Sequence, residues 1–284
     1  MGLRTYNITI LKTNGEDRIM TAKFSKSNTA LVTGASGGIG WELARIHAQK
    51  SGDVVLVARS KDKLEALKTN LEATYKVRVT VIVEDLAQPE AAQRIFDETE
   101  KLGITVDTLI NNAGFGGHGL FHEREFTAEH AMMQVNMITL TQLTHLYLKG
   151  MVARKQGRIL NVSSTASFMP GPLQAVYYAT KAFVTSFTQA IAEEVIEHNV
   201  TVTALCPGAV DTGFVKAGDL EGVEVFKNAK SASSVAKCGY QAMERGQLVA
   251  FNEGGLKFIL NWVVPFMPRK AILKLSRQTM EKVA

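Results

Sequence analysis

The sequence is poor in the residues that hold together disulfide-rich, fibrous or membrane-spanning proteins. Its two cysteines, Cys206 and Cys238, exclude a disulfide framework and predict reduced thiols in a cytoplasmic protein. Six prolines exclude a proline-rich linker, and 23 glycines among 284 residues exclude a collagen-like repeat. No apolar run reaches the roughly 18 residues that a transmembrane helix needs. What remains is typical of a globular chain, with 46% hydrophobic and 21% charged residues.

The excess of positive charge lies at the carboxyl end of the chain. The net charge is +5, from 32 basic and 27 acidic residues. Residues 256–284 account for it, because they carry one acidic residue, Glu281, and six basic ones. The basic residues are Lys257, Arg269, Lys270, Lys274, Arg277 and Lys282. A nucleic-acid-binding protein carries a basic stripe over its body, so we expect no nucleic-acid partner.

Short apolar runs alternate with amphipathic segments from Thr29 onward. The apolar runs predict strands at residues 30–32, 54–57, 77–83, 106–110, 158–162, 200–205 and 249–251. The periodic segments predict helices at residues 39–49, 61–75, 91–101, 131–151 and 178–197. Strands that alternate with helices form a parallel sheet covered on both faces. We therefore predict one doubly wound α/β domain with about seven strands.

The two ends of the chain lie outside this alternation. The strand-like segments 6–11 and 18–24 flank the turn dipeptide Asn14-Gly15 and predict a β-hairpin. This hairpin is either an added edge or dimer contact, or an extension that docks loosely. The predicted boundaries are 1–28 for the hairpin, 29–255 for the α/β domain and 256–284 for a carboxyl-terminal extension.

A glycine-rich segment, residues 34–40, joins the first strand of the predicted sheet to its first helix. Glycine lets a backbone turn tightly and approach a pyrophosphate group, which the free N–H groups at a helix start then bind. The placement favours a dinucleotide site over a turn without a ligand. Its candidate binding residues are Gly34, Ser36, Gly37, Gly38, Ile39 and Gly40.

The end of the second predicted strand indicates which dinucleotide is bound. An acidic residue there would hold a ribose 2′-hydroxyl, but the sequence has none at this tip and places Arg59 there. The planar guanidinium of arginine donates two parallel hydrogen bonds to a phosphate. Lys61 and Lys63 add positive potential. We therefore favour NADP(H) over NAD(H).

A second constellation of residues predicts acid–base chemistry. Tyr177 and Lys181 are four residues apart, which puts them on one face of a helix. Tyr178 has no such partner, because residue 182 is alanine. An ammonium group beside Tyr177 is expected to lower its pKa, so that the phenol exchanges a proton with a carbonyl oxygen. Ser164 follows an apolar strand and is expected to orient the substrate oxygen.

Five motifs, in one order along the chain, together resemble the short-chain dehydrogenase/reductase family. They are Thr33-Gly34-x3-Gly38-x-Gly40, Asn111-Asn112-Ala113-Gly114, Ser164, Tyr177-x3-Lys181 and Pro207-Gly208-x3-Thr212. The resemblance extends from Thr29 to about Phe214. It implies a Rossmann fold over residues 29–255 and hydride transfer between NADP(H) and a carbonyl or alcohol.

The resemblance also implies roles for residues that follow the strands. Asp85 and Leu86 are expected to contact the adenine. Asn112, Ala113 and Gly114 are expected to support the sheet beside the adenosine ribose.

Nearer the reacting carbon, the resemblance implies a proton relay and a segment that closes on the nicotinamide. Asn136 is expected to hold a water molecule that links Lys181 to solvent, and Lys181 to hold the nicotinamide ribose hydroxyls. The residues expected in the closing segment are Pro207, Gly208, Val210 and Thr212.

The segment 214–233 is expected to be a substrate lid, built as a loop or as small helices. Its apolar residues would either face the substrate or pack ordinarily; they are Phe214, Val223, Val225 and Phe226. His118 and His122 lie four residues apart near Glu123, but no third ligand follows at a suitable spacing. We therefore expect no metal.

The carboxyl-terminal extension allows two interpretations. Residues 256–267 are strongly apolar and include Trp262, and basic residues follow them. The segment either caps the substrate cleft or packs in a dimer interface, or it lies at a membrane surface with its basic residues at the headgroups.

The overall prediction is an NADP(H)-dependent reductase of an apolar ketone, such as a 3-oxoacyl thioester or a steroid-like carbonyl. The alternatives are a non-catalytic NADP(H)-binding scaffold and a peripheral membrane reductase of a lipid carbonyl. The family resemblance implies a homodimer or homotetramer that assembles through the helices at 131–151 and 178–197.

Overall fold

The computed structural model describes residues 7–9, 19–21 and 28–282. Strands β1 (Asn7–Thr9) and β2 (Ile19–Thr21) pair antiparallel, with Asn7 opposite Thr21. This confirms the predicted hairpin in shorter strands. The predicted turn at Asn14-Gly15 lies outside the described residues.

The main sheet of the described chain contains seven parallel strands, as predicted. Its first five are β3 (Thr29–Thr33), β4 (Asp53–Ala58), β5 (Val79–Val83), β6 (Thr108–Asn111) and β7 (Gly157–Val162). The sixth is β8 (Val200–Leu205); β9 (Val210–Asp211) and β10 (Lys230–Ser231) form a separate pair, and β11 (Val249–Ala250) completes the sheet. The spatial order is β11-β8-β7-β6-β3-β4-β5. The order reverses between β3 and β6, and this reversal opens a ligand crevice at the carboxyl ends of the strands.

The helices cover both faces of the sheet. They are α1 (Gly38–Gln49), α2 (Lys61–Tyr75), α3 (Ala91–Lys101), α4 (Phe126–Met133), α5 (Leu140–Arg154), α6 (Ala175–Val195), α7 (Phe214–Ala217), α8 (Ala232–Glu244), α9 (Gly254–Phe258) and α10 (Arg269–Met280). Short 3-10 turns lie at Phe121–Glu123, Thr165–Phe168, Ile196–His198, Glu224–Phe226 and Val264–Phe266. Two π-helical turns lie at Gln134–Thr139 and Ile259–Val263.

Several predicted boundaries differ from the structure. The predicted helix 131–151 begins earlier, at Phe126, and its two α-helical parts flank the π turn Gln134–Thr139. The predicted helix 178–197 begins at Ala175. The predicted strand 106–110 begins later, at Thr108, and the Asp107 carboxylate just before it accepts the Thr29 N–H at 3.1 Å.

Alternate residues of the strands are buried on opposite faces of the sheet. Val54 and Leu56 of β4 pack with leucines of α1 and α2, whereas Val55 and Val57 pack against α3, α5 and α6. A sheet covered in this way on both faces needs apolar residues at every strand position. This explains why the strands are continuous apolar runs in the sequence.

The carboxyl-terminal extension folds back onto the domain. Leu260, Val264 and Ile272 are buried there and pack against Phe168 and Phe251. Within residues 28–282 and the two short strands before them, no helix has the length and apolar composition needed to cross a membrane.

Candidate active site

A cleft of about 590 Å³ opens at the carboxyl edge of the sheet, where the strand order reverses. It runs from the glycine-rich turn after β3, past the ends of β6 and β7, to the lid and the end of α10. This is the position at which doubly wound sheets bind ligands.

The glycine-rich turn has the geometry of a cradle. Gly34 has a φ of +66°, and a Cβ on it would lie 2.8 Å from Asn112 Nδ2. Gly38 has a φ of +56°, and a Cβ there would lie 3.0 Å from Thr212 Cγ2. Gly37 faces the cleft at the start of α1, with open space where a side chain would be. The turn therefore leaves room for a pyrophosphate beside the free N–H groups of α1.

The segment after β6 is hydrogen-bonded to this turn. Asn112 Nδ2 donates to the carbonyl oxygens of Thr33 at 2.9 Å and Gly34 at 3.3 Å. The N–H groups of Asn112 and Ala113 both donate to Thr33 Oγ1 at 3.0 Å. These bonds fix the two edges of the crevice, and Asn112, Ala113 and Gly114 line the cleft.

Positive side chains lie at the outer end of the cleft. Arg59, at the end of β4, is exposed and lines the cleft together with Ser36 and Lys63. Asp85 and Leu86, after β5, line the same end. The only acidic groups of the described chain on this wall are Asp85 and Glu84, and Glu84 is paired with Arg94 at 2.9 Å.

The predicted catalytic side chains meet at the inner end of the cleft. Tyr177 and Lys181 lie on α6, and Ser164 begins the 3-10 turn after β7. Lys181 Nζ donates to the carbonyl oxygen of Val162 at 2.9 Å and lies 5.8 Å from the centre of the Tyr177 ring. Ser164 Oγ accepts the N–H of Ala166 at 3.1 Å. All three side chains are buried.

Burial controls the acid–base properties of this group. It raises the pKa of the Tyr177 phenol above its ordinary value, and the Ser164 hydroxyl opposes that rise. Burial also lowers the pKa of Lys181 to about 8. The pKa of Tyr177 thus moves in the direction opposite to the predicted lowering, because the loss of solvent on burial is the largest influence on it. A neutral Tyr177 phenol is suited to donate a proton.

Asn136 lies behind the cleft, in the π turn between α4 and α5. Its Oδ1 accepts the N–H of Phe115 at 3.1 Å, and its Nδ2 donates to the Phe115 carbonyl at 3.0 Å and to Thr180 Oγ1 at 3.1 Å. A Cβ on Gly114 would lie 3.0 Å from Asn136 Oδ1 and 3.3 Å from Lys181 Nζ. Gly114 thus separates the amide from the ammonium group, and both lie close to it.

The segment after β8 also borders the cleft. The Pro207 carbonyl accepts the N–H of Thr165 at 2.9 Å, and the N–H of Gly208 donates to Asn252 Oδ1 at 3.2 Å. Val210 begins β9, and Thr212 lies against Gly38. All four residues of the predicted closing segment line the cleft; they are Pro207, Gly208, Val210 and Thr212.

The lid and the chain end form an apolar wall beside Tyr177. The lid is built from α7 and the 3-10 turn Glu224–Phe226, as predicted. Phe214, Val225 and Phe226 line the cleft, whereas Val223 is buried in the packing beneath it. Sequence reasoning missed several residues that also line the cleft, among them Gln174, Tyr178 and Met280.

The two histidines outside the cleft do not form a metal site with other residues. His118 Nε2 donates to the carbonyl oxygen of Met280 at 2.8 Å, and the side chain of His122 is 77% exposed beside Glu123. In the part of the chain that the structure describes, no cluster of three or more metal-ligating side chains occurs.

Comparison with known proteins identifies the family of this chain. A family model described as short chain dehydrogenase matches residues 28–220. The chain belongs to the short chain dehydrogenase family. This short chain dehydrogenase is therefore an oxidoreductase, and its Rossmann fold agrees with the predicted one.

Individual relatives are similar over most of the chain. Human "Very-long-chain 3-oxoacyl-CoA reductase" is 32% identical over 262 residues, which cover 88% of this chain and 80% of the relative. Human "17-beta-hydroxysteroid dehydrogenase type 3" is 34% identical over 198 residues, which cover 68% of this chain and 62% of the relative. A solved short-chain dehydrogenase from Sphingobium yanoikuyae in complex with NADPH is 28% identical, with a TM-score of 0.76, covering 81% of this chain and 90% of the other.

Proposed function

We propose that this short chain dehydrogenase reduces an apolar ketone with NADPH. The observation that carries the proposal is the meeting of Ser164, Tyr177 and Lys181 at the inner end of the cleft whose outer end holds the glycine-rich turn and Arg59. The solved relative from Sphingobium yanoikuyae, which was crystallised with NADPH, supports the choice of cofactor.

The residues that line the cleft fit a dinucleotide. Gly37 and the start of α1 offer N–H groups to a pyrophosphate, and Arg59 with Lys63 offers positive charge to a 2′-phosphate. Asp85, Leu86 and the segment from Asn112 to Gly114 line the adenosine end. The bound cofactor supplies the hydride.

Tyr177 acts as the acid in this proposal. Its protonated phenol donates a proton to the carbonyl oxygen, and Ser164 Oγ donates a hydrogen bond to the same oxygen. The Lys181 ammonium stabilises the phenolate that forms and passes a proton back to it, and Asn136 holds the water through which Lys181 regains a proton from solvent. The negative charge that develops on the carbonyl oxygen is thus neutralised by the proton from Tyr177 as the carbonyl carbon is reduced.

The substrate is proposed to be a 3-oxoacyl thioester or a steroid-like carbonyl compound. The cleft beside Tyr177 is lined by Phe214, Val225 and Phe226, which suit an apolar group. The names of the two human relatives, one a 3-oxoacyl-CoA reductase and the other a hydroxysteroid dehydrogenase, point to the same two classes.

The test is oxidation of NADPH and of NADH against a panel of 3-oxoacyl thioesters, steroids, diketones and aldehydes. We expect turnover of one of the first two classes, with NADPH preferred. Tight binding of NADPH without turnover of any carbonyl would contradict the proposal and favour a cofactor-binding scaffold instead.

We also propose that the carboxyl-terminal extension contacts a membrane surface while the protein remains cytoplasmic. Its outer face exposes five large apolar side chains, namely Phe258, Ile259, Trp262, Val263 and Phe266. Four exposed basic residues lie near them in the sequence and suit anionic headgroups; they are Lys257, Arg269, Lys270 and Lys274.

Vesicle co-sedimentation tests this contact. Vesicles of phosphatidylcholine with phosphatidylserine are expected to bind the protein, and the double variant Trp262→Ser, Phe266→Ser to release it. The matched control is Phe121→Ser, an exposed apolar residue elsewhere, which should leave binding unchanged. Equal sedimentation of all three proteins would contradict the contact.

The assembly is proposed to be a homodimer or homotetramer. Exposed apolar residues on the expected contact helices support this, among them Ile138 in the π turn and Phe183 on α6. A monomer mass by light scattering at micromolar concentration would exclude it.

A further inference from the structure

Helix α10 presents one buried face made by residues four apart. Ile272, Ser276 and Met280 are buried, whereas Leu273 and Leu275 are exposed. Ile272 packs with Leu260 and Val264, away from the cleft. Met280, at the other end of the helix, packs in the cluster that contains Tyr177 and Tyr178. The amino-terminal half of α10 therefore packs against the rest of the extension, whereas its carboxyl-terminal end packs at the cleft.

Met280 is part of the cleft wall at the catalytic end. Its side chain lines the cleft and is 5% exposed. Its sulfur lies 3.5 Å from Nε2 of Gln174, which also lines the cleft and precedes Tyr177 by one helical turn. Met280 therefore closes the space next to the proposed acid.

Three contacts hold the chain end in place, one with His118 and two with the lid. His118 Nε2 donates to the Met280 carbonyl at 2.8 Å. Lys282 forms an antiparallel bridge with Val223 of the lid, and its Nζ lies 2.9 Å from Asp219 Oδ1. The backbone of residues 280–282 is thereby held in place, and it positions the methionine side chain against the cleft.

We propose that Met280 is a specificity-determining residue that limits the size of the apolar group bound beside Tyr177. This inference rests on the proposed function, because it assumes that the carbonyl lies at Tyr177. Methionine is unbranched and fills irregular space, so a shorter side chain lengthens the cleft and a bulkier one shortens it. Met280 and Gln174 are 106 positions apart in the sequence, so only the fold brings them together.

The experiment compares kcat/KM for 3-oxoacyl thioesters of increasing acyl length, or for ketones of increasing bulk if those are the substrates. Met280→Ala is expected to raise the ratio of long-chain to short-chain kcat/KM at least tenfold, and Met280→Phe to lower it. Ile272→Ala is the matched control, because it loosens the same helix without touching the cleft. Its ratio should equal that of the wild type.

The outcomes separate the two proposals. An unchanged ratio in a folded, active Met280→Ala enzyme overturns the specificity role and leaves the proposed function intact. An equal change in Met280→Ala and Ile272→Ala also overturns it, because loosening of α10 then suffices. A wild type that reduces no carbonyl overturns the proposed function itself, and with it this inference.

Discussion

Arg59 is the residue on which the cofactor preference depends. It directly follows β4 on the cleft wall, where an acidic residue would instead accept hydrogen bonds from a ribose 2′-hydroxyl. Arg59→Asp is expected to lower kcat/KM for NADPH by about one to two orders of magnitude, since an ion pair becomes a repulsion.

The same change should raise kcat/KM for NADH. The ratio of kcat/KM for NADPH to kcat/KM for NADH therefore measures the effect. Lys61→Asp is the matched control, because it changes the charge equally two residues away and does not line the cleft. Equal effects of the two variants would show that the overall positive electrostatic potential, rather than a direct contact from Arg59, selects the cofactor.

Lys181 predicts how the reaction depends on pH. Its pKa is lowered to about 8, so the ammonium loses its proton as the pH rises through that value. The charge that stabilises the Tyr177 phenolate is then lost, and kcat/KM for reduction should fall about tenfold per pH unit above it. Lys181→Arg should move the fall to higher pH, because a guanidinium stays charged. A profile that is flat to pH 10 would contradict this role.

At the scale of elements, α1 and α8 are joined through a buried histidine. His47 of α1 is fully buried, with Nδ1 2.8 Å from the Tyr240 hydroxyl of α8 and Nε2 3.0 Å from the Asn28 carbonyl. Burial lowers the pKa of His47 to about 4. Between its ordinary value of 6.5 and 4, the unfolded chain therefore binds a proton that the folded chain does not.

This linkage predicts that acid weakens the fold through His47. Its contribution to the free energy of unfolding is complete above pH 6.5 and falls by up to about 3 kcal/mol as the pH drops to 4. Thermal unfolding at pH 7 and pH 4.5 should show a smaller difference in Tm for His47→Gln than for the wild type. Equal differences would mean that other groups carry the acid sensitivity.

The elements also show which parts of the site the sequence can predict. The glycine-rich turn and the Tyr177–Lys181 pair are local, so spacing alone indicates their geometry. The π turn that carries Asn136 is hard to see in a helical pattern, because one inserted residue only shifts the phase between two segments that each keep their own helical period. The start of α6 at Ala175 is also not visible in the sequence, because Leu173 and Gln174 before it are not typical helix-capping residues.

At the scale of the whole molecule, the order of strands and helices follows from the alternation of apolar runs and periodic segments. The position of residues 280–282 against the cleft does not follow from that alternation. Met280 reaches the cleft through contacts with His118, Asp219 and Val223, and none of these pairs has a signal in the sequence. The pKa of Tyr177 was also mispredicted, because its burial depends on the lid and the chain end packing together.

The measurement that tests the central claim most directly is kcat of Tyr177→Phe with NADPH and the best carbonyl substrate. The variant keeps the ring in its apolar cluster and removes the hydroxyl alone. We predict that NADPH binding stays within about threefold of the wild type while kcat falls by at least about 10² to 10⁴, the usual contribution of a positioned acid. Turnover at the wild-type rate would contradict the assignment of Tyr177 as the acid.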